Sequence, residues 1–271
     1  MRAAWGLILL LANAAGAQDN SGLIRLETRD QLRGWEPVGR VDISGGGFCT
    51  GALIAPDLVL TAAHCVVDPG GTPVDAGRIT FRAGLADGIA LAEVAVARTV
   101  VPEGFRALKP APPDQLQKDV ALLQLASPIP SSLAAPFTVA LPGAGDEVSV
   151  VSYAAGREDA LSWQRVCRVL GKQEGLIAVD CDVTFGSSGA PVLDRSGYRA
   201  KIVSIISAGH RTGGKSLAVG MELPGIVETL KARLRAGKVT SEAASAALRS
   251  GVKRVIVGGG SNDIGARFVK P

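Results

Sequence analysis

From residue 48 onward the chain alternates short apolar stretches with turn residues. The stretches Phe48–Ile54, Leu58–Ala62, Ile79–Gly84, Leu91–Val101, Val120–Leu125, Val148–Tyr153, Gln164–Leu170, Leu176–Val179, Ala190–Leu193, Lys201–Ile206 and Leu217–Val219 are mostly four to eight residues long and rich in Val and Ile. That length and composition predict strands. Pro110, Pro112 and Pro113 place a loop before Asp119, and Pro128, Pro130 and Pro136 mark a crossing between two halves. One segment has a helical period instead: Pro224 to Arg235 puts Ile226, Val227, Leu230 and Leu234 on one face, with proline near its start. An all-β core closed by a C-terminal helix is the expectation, and periodicity alone does not separate a sandwich from two barrels.

The two ends read differently. Residues 1–17 carry Arg2, the apolar run Leu7–Leu11 and the small-residue end Ala15-Gly16-Ala17, the layout of a secretory signal peptide. The apolar run is well short of the roughly 20 residues that a spanning helix needs, so the chain is expected to be secreted or periplasmic, starting at Gln18. A polar lead follows to Arg33. At the other end, residues 231–271 hold nine Lys and Arg against Glu242 and Asp263. The net charge of +4 therefore belongs to the tail, which argues against a nucleic-acid partner for the folded part. The tail's charge suits weak contact with an anionic surface, and a solvated or core-packed extension is the equal alternative. Within it, Thr240-Ser241-Glu242 is expected to open a short alanine-rich helix ending at Gly251, and Gly258-Gly259-Gly260 lacks the spacing of a dinucleotide loop.

Composition narrows the class further. With 271 residues, 47% hydrophobic, 34 Gly, 15 Pro and only 4% aromatics, the chain suits many strands joined by tight turns. Four cysteines in an exported chain imply two disulfides, with three pairings open. There is no Cys-x-x-Cys and only two histidines, so no metal site is expected.

Three segments carry chemistry, in the order Thr61-Ala62-Ala63-His64-Cys65, Lys118-Asp119-Val120-Ala121-Leu122-Leu123 and Gly186-Ser187-Ser188-Gly189-Ala190-Pro191. A serine hydroxyl is a poor nucleophile at neutral pH. It needs an imidazole to take its proton and a buried carboxylate to hold that imidazole in one tautomer. His64 is the candidate base, with Asp119 or Asp114 as the orienting carboxylate and Ser188 or Ser187 as the nucleophile. Glycines around Ser188 permit a sharp turn that leaves the N–H groups of Gly186 and Ser188 free to meet an oxyanion. The G-x-S-x-G elbow of α/β-hydrolases is excluded by the missing final glycine and by the order His, Asp, Ser.

These motifs, over about residues 36–236, resemble the chymotrypsin/trypsin family of serine endopeptidases, especially its compact secreted bacterial branch, which includes the glutamyl endopeptidases. The resemblance implies two six-stranded antiparallel β-barrels with the site between them: a lead at 18–35, a first barrel at 36–135, a second barrel with the C-terminal helix at 136–236, and a basic extension at 237–271. Spacing and resemblance favour the disulfides Cys49–Cys65 and Cys167–Cys181. The first closes a loop of 15 residues, worth about 3 kcal/mol in the chain-entropy model. The resemblance selects Asp119 over Asp114 and Ser188, the serine directly followed by glycine, over Ser187, and it implies peptide-bond hydrolysis through an acyl-enzyme, on protein or peptide substrates, by a monomer without cofactor. The resemblance also places Asp182 at the base of a pocket for a basic P1 residue, and Ser207 and Gly209 on the strand edge that pairs with substrate. Ile206 stands where glutamyl endopeptidases have histidine, while His210 keeps a Glu-preferring alternative open. A catalytically silent binding protein on the same fold is the rival class. Ser187 stands where many animal members carry the aspartate that pairs with a freshly cut N-terminus, so activation by that ion pair is not expected.

Overall fold

A computed structural model describes residues 22–212 and 215–243. The expected signal peptide, the glycine cluster and residues 244–271 of the extension lie outside the described residues. The chain enters through β1 (Leu23–Arg25) and then forms β2 (Val38–Ile43), β3 (Phe48–Ala55), β4 (Leu58–Thr61), β5 (Ile79–Ala83) and β6 (Ala92–Val100), followed by the one-turn helix α1 (Pro113–Leu116) and β7 (Ala121–Leu125). Pairing runs β6-β5-β2-β3-β4-β7, and β6 also pairs with β7. These six strands therefore close on themselves, which leaves no unpaired edge. Their inward residues, among them Val41, Leu53, Val59, Phe81 and Leu123, form one apolar core. In β5 the alternation is visible directly: Ile79, Phe81 and Ala83 are buried between half-exposed Thr80 and Arg82.

The second half contains β8 (Thr138–Val139), β9 (Glu147–Ala154), β10 (Arg157–Gln173), β11 (Leu176–Val179), β12 (Pro191–Asp194), β13 (Lys201–Ile205), β14 (Ala208–Thr212) and β15 (Lys215–Met221). They pair in the order β14-β15-β11-β10-β9-β12-β13-β8, with β1 added on β10. Just past β13 the chain folds back on β15: Ser207 donates its N–H to the Val219 carbonyl at 3.0 Å, and the Ser204 hydroxyl donates to the Met221 carbonyl at 2.9 Å. The fold is the expected chymotrypsin-like one, with β1, β8 and the β14 hairpin arm added to the second barrel. A further core of Val38, Leu60 and Leu122 from the first half and Tyr153, Leu193 and Ile202 from the second joins the two.

Both disulfides form as expected, Cys49–Cys65 and Cys167–Cys181. Helix α2 (Pro224–Arg235) buries Val227, Leu230 and Leu234. It stops where Gly237, at φ +69°, takes the left-handed conformation and Lys238 N–H closes back on the Arg233 carbonyl at 2.9 Å.

At the ends, one finding adds to the expectations and one corrects them. The polar lead is docked: Leu26 and Leu32 are buried, the Arg29 guanidinium donates to the carbonyls of Gly84 and Ile89, and Arg25 spans to Asp87 and Asp159. That ion pair holds the Asp159 carboxyl below the usual carboxylate range. Beyond α2, no helix opens at Thr240. Instead β16 (Ser241–Glu242) pairs antiparallel with β6, because the hydroxyls of Thr240 and Ser241 accept the N–H groups of Val101 and Ala76, and Ala243 reaches the first core.

Candidate active site

The β4–β7 ladder sets the site's geometry. Thr61 lies opposite Ala121, so the residues just past Thr61 and just before Ala121 emerge at the same end of the barrel. His64 sits three residues on, in a 3₁₀ turn at Ala63–Cys65, tied through Cys65 to Cys49 on β3. Asp119 sits two residues before β7, held by its N–H to the Leu116 carbonyl at 3.2 Å. Its carboxylate is 2.7 Å from His64 Nδ1 and accepts the His64 backbone N–H at 2.8 Å. Asp119 is only 4% exposed, so in a low-dielectric setting this contact fixes both tautomer and ring orientation. The oxygen facing the ring also accepts the Ser207 hydroxyl. Ser207 thus meets Asp119 through its side chain, a contact from the second half of the molecule.

Ser188 stands between β11 and β12 in a turn whose flanking glycines both have positive φ, +91° at Gly186 and +76° at Gly189. A β-carbon on Gly189 would collide with the Thr61 hydroxyl and the Thr50 carbonyl, so only glycine lets the two halves approach this closely. Thr50 on β3 ties the turn down: its N–H donates to the Ser188 carbonyl at 2.9 Å, its hydroxyl donates to the Gly186 carbonyl at 2.9 Å, and that hydroxyl accepts the Tyr153 N–H at 3.0 Å. The Phe185 carbonyl accepts the Ala155 N–H at 2.7 Å. A trans peptide plane then turns the Gly186 N–H to the opposite side. Neither Gly186 N–H nor Ser188 N–H has an acceptor among the described residues. Ser187, fully buried, has its hydroxyl 3.1 Å from that of Ser152.

His64, Asp119, Gly186, Ser188, Ser207 and Gly209 all line one cavity of about 790 Å³. Its remaining wall is largely apolar and includes Phe105, Leu108, Val183 and Phe185, with His210 at the edge. Asp182 is not among the lining residues: its N–H donates to Gln164 Oε1 at 2.7 Å and its carboxylate accepts the Ser216 hydroxyl at 3.2 Å. Beside Gly209, a β-carbon would overlap Val183 Cγ2, so the Val183 side chain fills the space next to that strand. Cys49, His64 and Cys65 cluster closely enough to suggest a metal site, but the two sulfurs are bonded to each other and offer no thiolate. Thr50, Ser152 and the hydroxyl role of Ser207 carry no local sequence signal, since each acts on a residue far along the chain.

The family description of a trypsin-like peptidase domain matches residues 49–199, and the chain belongs to that family. Solved structures agree on the fold. A Glu endopeptidase in complex with MPD superposes with a TM-score of 0.66 at 20% identity, over 79% of this chain and 97% of that one. The protease Anisep from Arthrobacter nicotinovorans gives 0.59 at 16% identity, over 72% and 93%. Neuropsin, a serine protease expressed in the limbic system of mouse brain, gives 0.58 at 16% identity, over 73% and 94%.

Proposed function

We propose that this chain is a secreted serine endopeptidase in which Ser188 attacks the peptide carbonyl, His64 takes and returns the proton, and Asp119 orients and stabilises the imidazolium. The observation that carries the reading is the buried Asp119 carboxylate bonded to both the ring and the backbone of His64, in the cavity that also holds Ser188. The Ser188 hydroxyl loses its proton to Nε2 as its oxygen bonds to the carbonyl carbon. The N–H groups of Gly186 and Ser188 receive the developing oxyanion, a contribution of roughly 2.7–4 kcal/mol per donor in such sites. The amine leaves with the proton from His64, and water repeats the sequence on the acyl-enzyme.

The substrate-facing wall favours small apolar P1 side chains over basic or acidic ones. Val183 occupies the space beside Gly209, and Asp182 is engaged elsewhere. Ser207–Gly209 supplies the strand edge for backbone pairing with an extended peptide. The test is covalent labelling by a serine-directed phosphonate together with turnover of a casein-type substrate. Wild-type protein labels and cleaves, and Ser188→Ala does neither; retained turnover in that variant refutes the assignment.

A further inference from the structure

Away from the cleft, the ends of β9 and β12 and the middle of β10 enclose a second cavity of about 260 Å³, lined by Ser149, Arg165, Arg195 and Ser196 among others. It lies beyond the far end of β12 from Ser188, with Leu193 in its wall. Its chemistry is unlike that of the cleft. The Arg195 guanidinium carbon is 4.6 Å from the centre of the Trp163 ring and 5.5 Å from that of Trp35, and Arg165 is 5.1 Å from Trp163. The two tryptophan rings are themselves 5.1 Å apart. Trp163 and Arg165 alternate onto one face of β10, while Trp35 arrives from the docked lead.

Stacking on aromatic faces holds a planar guanidinium while leaving its N–H edge free to donate. Among the described residues neither Arg165 nor Arg195 pairs with a carboxylate. Ser149 is 1% exposed and its hydroxyl has no hydrogen-bond partner. Leaving a buried hydroxyl in that state is costly. Glu147 is the acidic group in the lining, and all three charged residues are exposed, so two positive charges outweigh one negative charge. We infer that this cavity is a binding site for a phosphate-type oxyanion, held by the guanidinium edges of Arg165 and Arg195 with the Ser149 hydroxyl as a third donor. Guanidinium forks match the paired oxygens of phosphate, and all three donor residues line the one cavity. The inference is independent of the proteolytic reading.

Two of the chain's three tryptophans, Trp35 and Trp163, form the platform, so intrinsic fluorescence reports on the site directly. The experiment titrates inorganic phosphate into the full chain at constant ionic strength, with chloride as the balancing ion. A saturable fluorescence change that is abolished in Arg165→Gln/Arg195→Gln and weakened about tenfold in Ser149→Ala supports the site. No saturable change, or the same change in the double variant, overturns it. Thermal unfolding of the double variant at the wild-type midpoint shows that it is folded; if it unfolds early, Arg195→Lys, which keeps the charge but not the fork, takes its place and is expected to weaken phosphate binding at least fivefold. Sedimentation with phosphatidylglycerol against phosphatidylcholine vesicles separates the sources. Vesicle binding competed by inorganic phosphate identifies a lipid headgroup, and phosphate binding without vesicle binding identifies the free ion.

Discussion

Ser187 shows how a single neutral side chain replaces a charged one. Its hydroxyl is fully buried, faces that of Ser152 at 3.1 Å and accepts the Thr184 N–H at 3.4 Å. These contacts hold the turn that presents Gly186 and Ser188 through neutral side chains and backbone. The triad candidates were legible because each sits in a contiguous motif. Their supports were not: Thr50, Ser152 and Ser207 act across 35 to 136 residues of chain, and serine and threonine are too common on strands to stand out. Asp182 is the opposite case. Counting along the chain assigned it to the substrate pocket, but its backbone and side chain are committed to Gln164 and Ser216, and Val183 faces the cavity. In a peptide panel varied at P1, we expect Ala and Gly to be cleaved best. Val183→Gly should raise kcat/KM for Leu or Phe at P1 by tenfold or more, since each methylene admitted to an apolar pocket is worth about 1 kcal/mol. A wild-type preference for Arg or Glu contradicts this.

At the level of elements, several strands from residue 48 onward were legible in position, whereas β1, β2, β8, β14 and the first half of β10 were not. Val- and Ile-rich runs between turn residues located β3, β4, β5 and β6 closely, because a half-buried strand leaves a composition trace. The helix α2 was equally clear, with Val227, Leu230 and Leu234 buried as its period requires. The alanine-rich stretch after Thr240 has helical propensity, yet pairing with β6 prevails at Ser241–Glu242 because Val101 N–H and Ala76 N–H need acceptors there. Tertiary context overrides a weak local preference. Val101 is 7% exposed, so Thr240→Val leaves its N–H unsatisfied. We expect a loss of about 1–3 kcal/mol in urea unfolding, whereas Thr240→Ser should be near neutral; equal stability of the valine variant excludes the clasp.

On the scale of the whole molecule, a shared core unites the two sheets, and Thr50 and Ser207 carry hydrogen bonds between them on either side of the cleft. No helix among the described residues is long and apolar enough to cross a membrane. The two-barrel arrangement was legible only through the motifs, since strand periodicity is the same in a sandwich. The Cys49–Cys65 bond ties β3 to the turn that bears His64. Cys49→Ser/Cys65→Ser should lower stability by about 2–4 kcal/mol and slow phosphonate labelling of Ser188, measured by thermal unfolding and labelling kinetics. Labelling at the wild-type rate with lowered stability would mean that the bond braces the barrel and not the imidazole.

That same bond bears on when the His64 turn is held in place. Cytoplasmic thiols stay reduced, so a freshly translated copy carries His64 on an untethered loop. On the proposed reading of a secreted endopeptidase, oxidation after export is the step that fastens that loop to β3.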